Sequence, residues 1–266
     1  MADRVSLEAD GPVARIVISN PAKFNALTFR MYDQLIAACA AVTDAARAGR
    51  IRVAVLRGDG GRAFAAGTDI AEFRAFSADG ECAAARGVDY EHRTAAVLDA
   101  VSALPVPAIA AVEGPAAGNG LALALCCDLV IAREDATFGA PIARTVGNCL
   151  PPVVIGRLYA AIGRARARAL LMTATNIDAR GAMTAGLVAD VVPHGTFDRH
   201  VEDTAARIAS LAPRTLAAFK EVDRRLLRAP DSIPADDIYA SCYGSDDFRE
   251  GVAAFLAKRA PKWTGR

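Results

Sequence analysis

The chain has 266 residues, 53% of them hydrophobic, which suits one large domain able to bury about three quarters of its unfolded surface. Its 31 Lys and Arg are balanced by 30 Asp and Glu and are spread along the chain, so there is no electrostatic footprint for nucleic acid, and a small-molecule partner is expected. Six cysteines without a CxxC pair predict free thiols in a reducing compartment, the cytoplasm.

The opening MADRVSLEADG has no apolar run after its charges, and later apolar stretches are broken by Pro, Gly, Asp or Glu, so neither a signal peptide nor a membrane span is expected. Residues 5–8 and 13–19 flank Asp10-Gly11 and predict a β-hairpin. Thr28 reads as the cap of a helix carrying Tyr32, Leu35, Ile36, Cys39 and Val42 at helical spacing. Residues 52–57, 107–112 and 129–132 are short β-rich runs, so strand and helix alternate as in an α/β fold. The polar stretch 77–94, with Gly80 and Gly87, is expected to be a solvated loop or a lid leading into a helix that ends near Leu104. Helices are then expected over 153–158, 164–173, 178–185, 197–211, 215–227 and 246–258, with a strand-like run at 188–192.

Gly58-Asp59-Gly60-Gly61 follows a strand, but Ala63 replaces the third glycine of a dinucleotide loop and no acid closes a following strand. A phosphate-binding loop also fails, because Thr68-Asp69 stands where Lys-Ser/Thr is required. The small residues of Phe64-Ala65-Ala66-Gly67-Thr68-Asp69 and Gly114-Pro115-Ala116-Ala117-Gly118-Asn119-Gly120 admit another reading. Each segment can bring a bare backbone N–H close to one ligand oxygen near a helix N-terminus. Taken singly, each is equally a tight turn packing helix on strand.

Their order along the chain resembles the crotonase superfamily, the enoyl-CoA hydratase/isomerase family. Asn20-Pro21, Phe24-Asn25-Ala26-Leu27, Cys127-Asp128-Leu129, Phe138-Gly139-Ala140-Pro141, Gly186-Leu187-Val188 and Asp247-Phe248-Arg249-Glu250-Gly251 extend the resemblance over nearly the whole chain. It implies an α/β crotonase-like spiral of ββα units, an acyl-CoA-binding core over 1–195, and a C-terminal helical trimerisation region over 196–266. It also implies that the peptide N–H groups of Thr68 and Asn119 polarise the carbonyl of an acyl-CoA thioester and stabilise an enolate. Where the family usually has Ala and Gly, Thr68 adds a hydroxyl, and Asn119 tolerates any positive φ its position needs. Phe24, Ala66, Asp69, Ile70, Gly118, Ile142 and Lys258 would contact the substrate, with Lys258 and Lys220 as candidates for the CoA phosphates. Phe255 would lie on a helix that packs at a trimer interface in relatives. The implied assembly is a homotrimer or a dimer of trimers, with coenzyme A present only as part of the substrate and no metal.

Hydratases of the family use two glutamates to activate water, and the matching positions here hold Ala122 and Ile142. Neither exchanges a proton, so efficient 2-enoyl-CoA hydration is not expected. Other acids and nucleophiles come into view as replacements: Asp69, Glu72, Glu91, His92, Glu113, Asp128 and Cys149, with Arg144 as a partner for a substrate carboxylate and Asn148 beside it. Two functions follow from the resemblance: a lyase or isomerase of the hydratase/isomerase group with unusual acid/base residues, or a noncatalytic CoA-thioester-binding pseudoenzyme.

Overall fold

Alternation of apolar and polar residues on either side of Asp10-Gly11 produces the first structure in the chain. In the computed structural model, which describes residues 3–74, 80–227 and 234–265, β1 (Arg4–Asp10) and β2 (Val13–Ser19) pair antiparallel about a turn in which Gly11 has φ +54°. The helix α1 (Phe29–Arg47) then carries the chain to β3 (Val53–Gly58), parallel to β2. Thr28 is the residue before α1 as expected, but its hydroxyl donates to Asp3 rather than capping the helix.

Next come α2 (Gly80–Ser102), β4 (Ala108–Val112), β5 (Pro115–Ala117), α3 (Asn119–Cys126), β6 (Leu129–Arg133) and β7 (Thr137–Gly139). After these follow α4 (Ile142–Thr145), α5 (Pro152–Ile162), α6 (Arg164–Thr173), β8 (Asn176–Asp178), α7 (Ala179–Ala185) and β9 (Asp190–Val192). The chain ends in α8 (Phe197–Ala209), α9 (Pro213–Leu226), α10 (Asp236–Tyr243) and α11 (Asp246–Leu256).

Six strands form one sheet in the order β1-β2-β3-β4-β6-β9, parallel except for the first pair, and β5-β7-β8 form a second sheet. Because side chains alternate along a strand, the large sheet has two apolar faces. Ala14, Ile16, Ile18, Ala54, Leu56, Ala108 and Ala110 meet α1, α2 and α3 in the main core. Val13, Val53, Val55, Ile109, Ala111 and Ile131 meet Phe197, Val201, Ala205 and Ile208 of α8 on the other side.

The polar stretch expected as a loop or lid is helical from Gly80 onward, and residues 77–79 lie outside the described residues. Ala83, Tyr90, Thr94, Val97, Leu98 and Val101 recur at helical spacing on its buried side, a pattern hidden by the charged residues between them. Gly87 belongs to the same face: a Cβ there would lie 2.1 Å from Cγ of Tyr243, so glycine lets α10 pack against α2. The helix α10 itself was not expected. Among the described residues no helix is long and apolar enough to cross a membrane.

Candidate functional site

Two loops leave the carboxyl ends of β3 and β4 and run side by side. Asn25, buried at a turn with φ +56°, donates through Nδ2 to the carbonyls of Asp59 (2.9 Å) and Ala63 (2.8 Å), tying the first turn of the chain to the first loop. The amides of Ala66 and Asp69 donate to Phe24 O (3.0 Å) and Leu27 O (2.8 Å), and Leu27 donates to Gly67 O at 2.8 Å. On its other flank the first loop bridges the second, with Ala65 N donating to Pro115 O (3.2 Å) and Ala117 N to Ala65 O (3.0 Å).

This pairing fixes where the two expected amides lie. Gly67 has φ +98°, and a Cβ on it would sit 3.1 Å from Ala117 O and 3.7 Å from Asn119 N. The Gly67-Thr68 peptide therefore passes directly over the start of α3. Among the described residues neither Thr68 N nor Asn119 N has a protein acceptor. Asn119 is the first residue of α3, whose first-turn N–H groups have no intrahelical partner and lie at the positive end of the helix dipole. The positive φ allowed for at Asn119 belongs instead to Gly118, at +54°. The asparagine is ordinary helix.

Both amides border a cavity of about 630 Å³ that also contains all the expected contact residues: Phe24, Ala66, Asp69, Ile70, Gly118, Ile142 and Lys258. Phe255, expected at a subunit interface, stands at this cavity beside Leu256 and Lys258. Phe24 is held in the left-handed region at φ +52°, and its half-exposed ring carries the guanidinium of Arg62 4.5 Å from its centroid. With Lys23 and Lys258, Arg62 gives this side of the cavity positive charge suited to phosphate.

The remaining candidates separate. Asp69 lines the cavity, but its carboxylate is 2.5 Å from Lys23 Nζ and accepts from Ala71 N, capping the short 3-10 turn Ile70–Phe73. Glu113 lies outside the cavity between Arg57 and Arg133, at 3.0 Å from each. Asp128 accepts from Ala108 N and pairs with Lys220 at 2.5 Å, so that lysine is held at a different cavity from the one the phosphates would border. His92 pairs with Asp236 in solvent, and Glu72 and Arg144 do not line the cavity. Ala122 is buried inside α3, whereas Ile142 is on the cavity wall. Cys149 is also on the wall. Its contact with Cys242, followed by burial, pushes its thiol up, which keeps it protonated and poorly nucleophilic. Glu91 is 1% exposed behind the wall, accepts a hydrogen bond from the Tyr243 hydroxyl, and is pushed up to about 8 by burial.

What the sequence did not announce is a neutral polar cluster directly behind the first amide. Thr68 Oγ1 is 2.7 Å from the Tyr32 hydroxyl and 2.6 Å from that of Tyr90. Asn119 Nδ2 reaches Tyr32 (2.6 Å), Tyr90 (2.8 Å) and Thr68 Oγ1 (3.1 Å). Burial pushes both phenols up, so they remain protonated. Tyr32 looked like one more apolar position of α1, and Tyr90 lay in the stretch read as a loop.

A family model for "Enoyl-CoA hydratase/isomerase" matches residues 8–266. The chain belongs to the enoyl-CoA hydratase/isomerase family. A probable enoyl-CoA hydratase of Rhodobacter capsulatus is 36% identical, with 98% of each chain covered. Another, of Mycobacterium bovis, is 32% identical with 99% of each covered. Among solved structures, a methylmalonyl-CoA decarboxylase in complex with 2-nitronate-propionyl-CoA superposes with a TM-score of 0.84 at 28% identity, with 98% of both chains covered. Family membership and this likeness establish the crotonase fold anticipated from the two loops.

Proposed function

We propose that the protein binds an acyl-CoA thioester and stabilises the enolate formed at its α-carbon with the amides of Thr68 and Asn119. The observation that carries this reading is the convergence of these two unclaimed N–H groups across Gly67, at the edge of a largely apolar cavity. Donors already fixed in place need no reorganisation as charge develops on the oxygen, and one such donor is typically worth about 3–4 kcal/mol. Coenzyme A enters only as part of the substrate, and a cytoplasmic homotrimer or pair of trimers is the assembly proposed by family resemblance.

The titratable side chains on the cavity wall are Lys23, Asp69, Tyr90, Cys149 and Lys258. The carboxylate among them is paired and the phenol and thiol hold their protons, so the wall supplies no free base of the kind that activates water. This supports an activity other than efficient hydration. It equally supports the second reading, a CoA-thioester-binding protein without turnover.

Calorimetric binding of crotonyl-CoA, a 3-enoyl-CoA and malonyl-CoA, followed by product analysis, tests both. Binding with product from the last two is expected. Binding with no product from any thioester favours the second reading, and failure to bind any thioester overturns both.

A further inference from the structure

The peptide planes that carry the two amides are each held from behind. The Gly67 carbonyl, in one plane with the Thr68 N–H, accepts from Leu27 N at 2.8 Å, and the Gly118 carbonyl, in one plane with the Asn119 N–H, accepts from Ala122 N at 3.0 Å. These bonds fix how each plane is turned within its own segment. They do not fix the distance between the planes. Among the described residues the backbone bonds that join the two loops stop short of the amides at Ala65 and Ala117, and Gly67 and Gly118, both with positive φ, intervene.

Side chains close that gap. Asn119 Nδ2 donates directly to Thr68 Oγ1 at 3.1 Å. The Tyr32 hydroxyl touches the same two groups at 2.6 and 2.7 Å, and the Tyr90 hydroxyl at 2.8 and 2.6 Å, so three parallel links join the residues that carry the amides. Tyr32 also meets Tyr90 and, one turn farther along α2, Thr94. The rings that deliver the hydroxyls are packed in turn: Phe73 stands edge-on to Tyr90 with centroids 4.9 Å apart, and Phe29 lies 6.3 Å from Tyr32 and 5.9 Å from Tyr90. Tyr32, Tyr90 and Asn119 are buried, so water competes little for these bonds.

Resting on the acyl-CoA reading above, we infer that Tyr32 and Tyr90 are positioning residues: acting through the side chains of Thr68 and Asn119, they set the separation of the two amides and hence their joint grip on a thioester oxygen. No proton need leave any of the four side chains. What they supply is fixed geometry, which matters because a pair of donors helps most when both already point to where charge grows on the oxygen. Alanine and glycine at positions 68 and 119 would present the same two N–H groups with no link between them. Helices α1 and α2 thereby take part in the site although neither lends it a backbone group.

The test reads the carbonyl itself. Infrared difference spectra of propionyl-CoA, isotope-labelled at the thioester carbonyl, are recorded with the unaltered protein and with variants, beside calorimetric affinities for propionyl-CoA and free CoA. On binding to the unaltered protein the carbonyl stretch should fall below its value in water and narrow, as two fixed donors polarise it. Tyr32→Phe combined with Tyr90→Phe cuts the two indirect links, and Asn119→Ala cuts all three while keeping its backbone N–H. Each should give back about half of the downshift, the share of one donor in two, and broaden the band. Thr68→Ser keeps the hydroxyl and should retain the downshift, whereas Thr68→Val should lose it as Asn119→Ala does. Free CoA, which has no acyl oxygen, should bind the tyrosine double variant as it binds the unaltered protein. A band that stays in place in both the tyrosine double variant and Asn119→Ala overturns the inference, whatever happens to affinity. Binding of propionyl-CoA to the unaltered protein without a downshift, or no binding at all, would instead overturn the acyl-CoA reading on which it rests.

Discussion

Two buried polar clusters flank the same pair of loops, and they are built on opposite principles. On one side Glu113, 5% exposed, is gripped by Arg57 and Arg133, and Arg133 also donates to the Gly61 carbonyl and pairs with Asp135. Every oxygen of Glu113 there is engaged, and nothing in the group borders the ligand cavity. On the other side Tyr32, Thr68, Tyr90 and Asn119 carry no charge, are joined by hydroxyl and amide hydrogen bonds, and open on the cavity through three of the four residues. A saturated charged network holds a loop in place, since charge buried among its own partners is costly to disturb. A neutral one can form part of a cavity wall without the desolvation cost of a charge.

The largest expected effect comes from breaking the charged side. Glu113→Ala leaves two guanidinium groups facing each other without their shared carboxylate, and should cost about 3–5 kcal/mol in urea unfolding. Next is Gly67→Ala, which strains a residue at φ +98° and puts a methyl 3.1 Å from Ala117 O beside the Asn119 amide. Turnover, or binding of an enolate analogue, should fall about 10²–10³-fold, far more than stability.

A third test exploits Glu91, a buried carboxyl that accepts from the Tyr243 hydroxyl. Its folded value of about 8 lies above the ordinary 4.5, so between these the folded state binds more protons than the unfolded. Its contribution to stability is complete below about pH 4.5 and is lost as the pH rises to about 8, a few kcal/mol in all. Glu91→Gln should flatten this slope in unfolding midpoints measured from pH 5 to 9, and should be more stable than the unaltered protein at the alkaline end. The smallest effect belongs to Tyr32→Phe. It removes one neutral hydroxyl from an uncharged cluster and should cost only about 1 kcal/mol, well under Glu113→Ala. Equal losses for the two would erase the distinction between the clusters.

The charged cluster and the neutral one differ also in how far they could be read from the chain. The opening hairpin was legible because its turn dipeptide and its alternation are local, and α6 and α11 because their apolar spacing is. The loop pair was legible because small residues are required wherever two backbones touch, as at Gly67 and at Gly120, where a Cβ would fall 2.0 Å from Ala65 O. The strands β5, β7 and β8 went unseen because three residues have no period to detect and their partners lie 20 or more positions away. The polar cluster went unseen for a related reason. Tyr32 and Asn119 are 87 residues apart, and only tertiary packing brings four unremarkable positions to one point. Helix α2 was mistaken for loop because its buried face includes Glu91 and a glycine, neither of which scores as apolar.

That glycine sets a clearance that reaches the cavity. At position 87 one hydrogen atom separates the backbone of α2 from the ring of Tyr243, and Tyr243 in turn stacks edge-on to Tyr90 with centroids 5.8 Å apart. Tyr90 lines the cavity. The cavity wall is thus braced by a residue that does not line it, through a helix from the far end of the polypeptide. A methyl group at position 87 would act as a shim, pushing Tyr243 and α10 away from α2 and loosening the packing behind Tyr90.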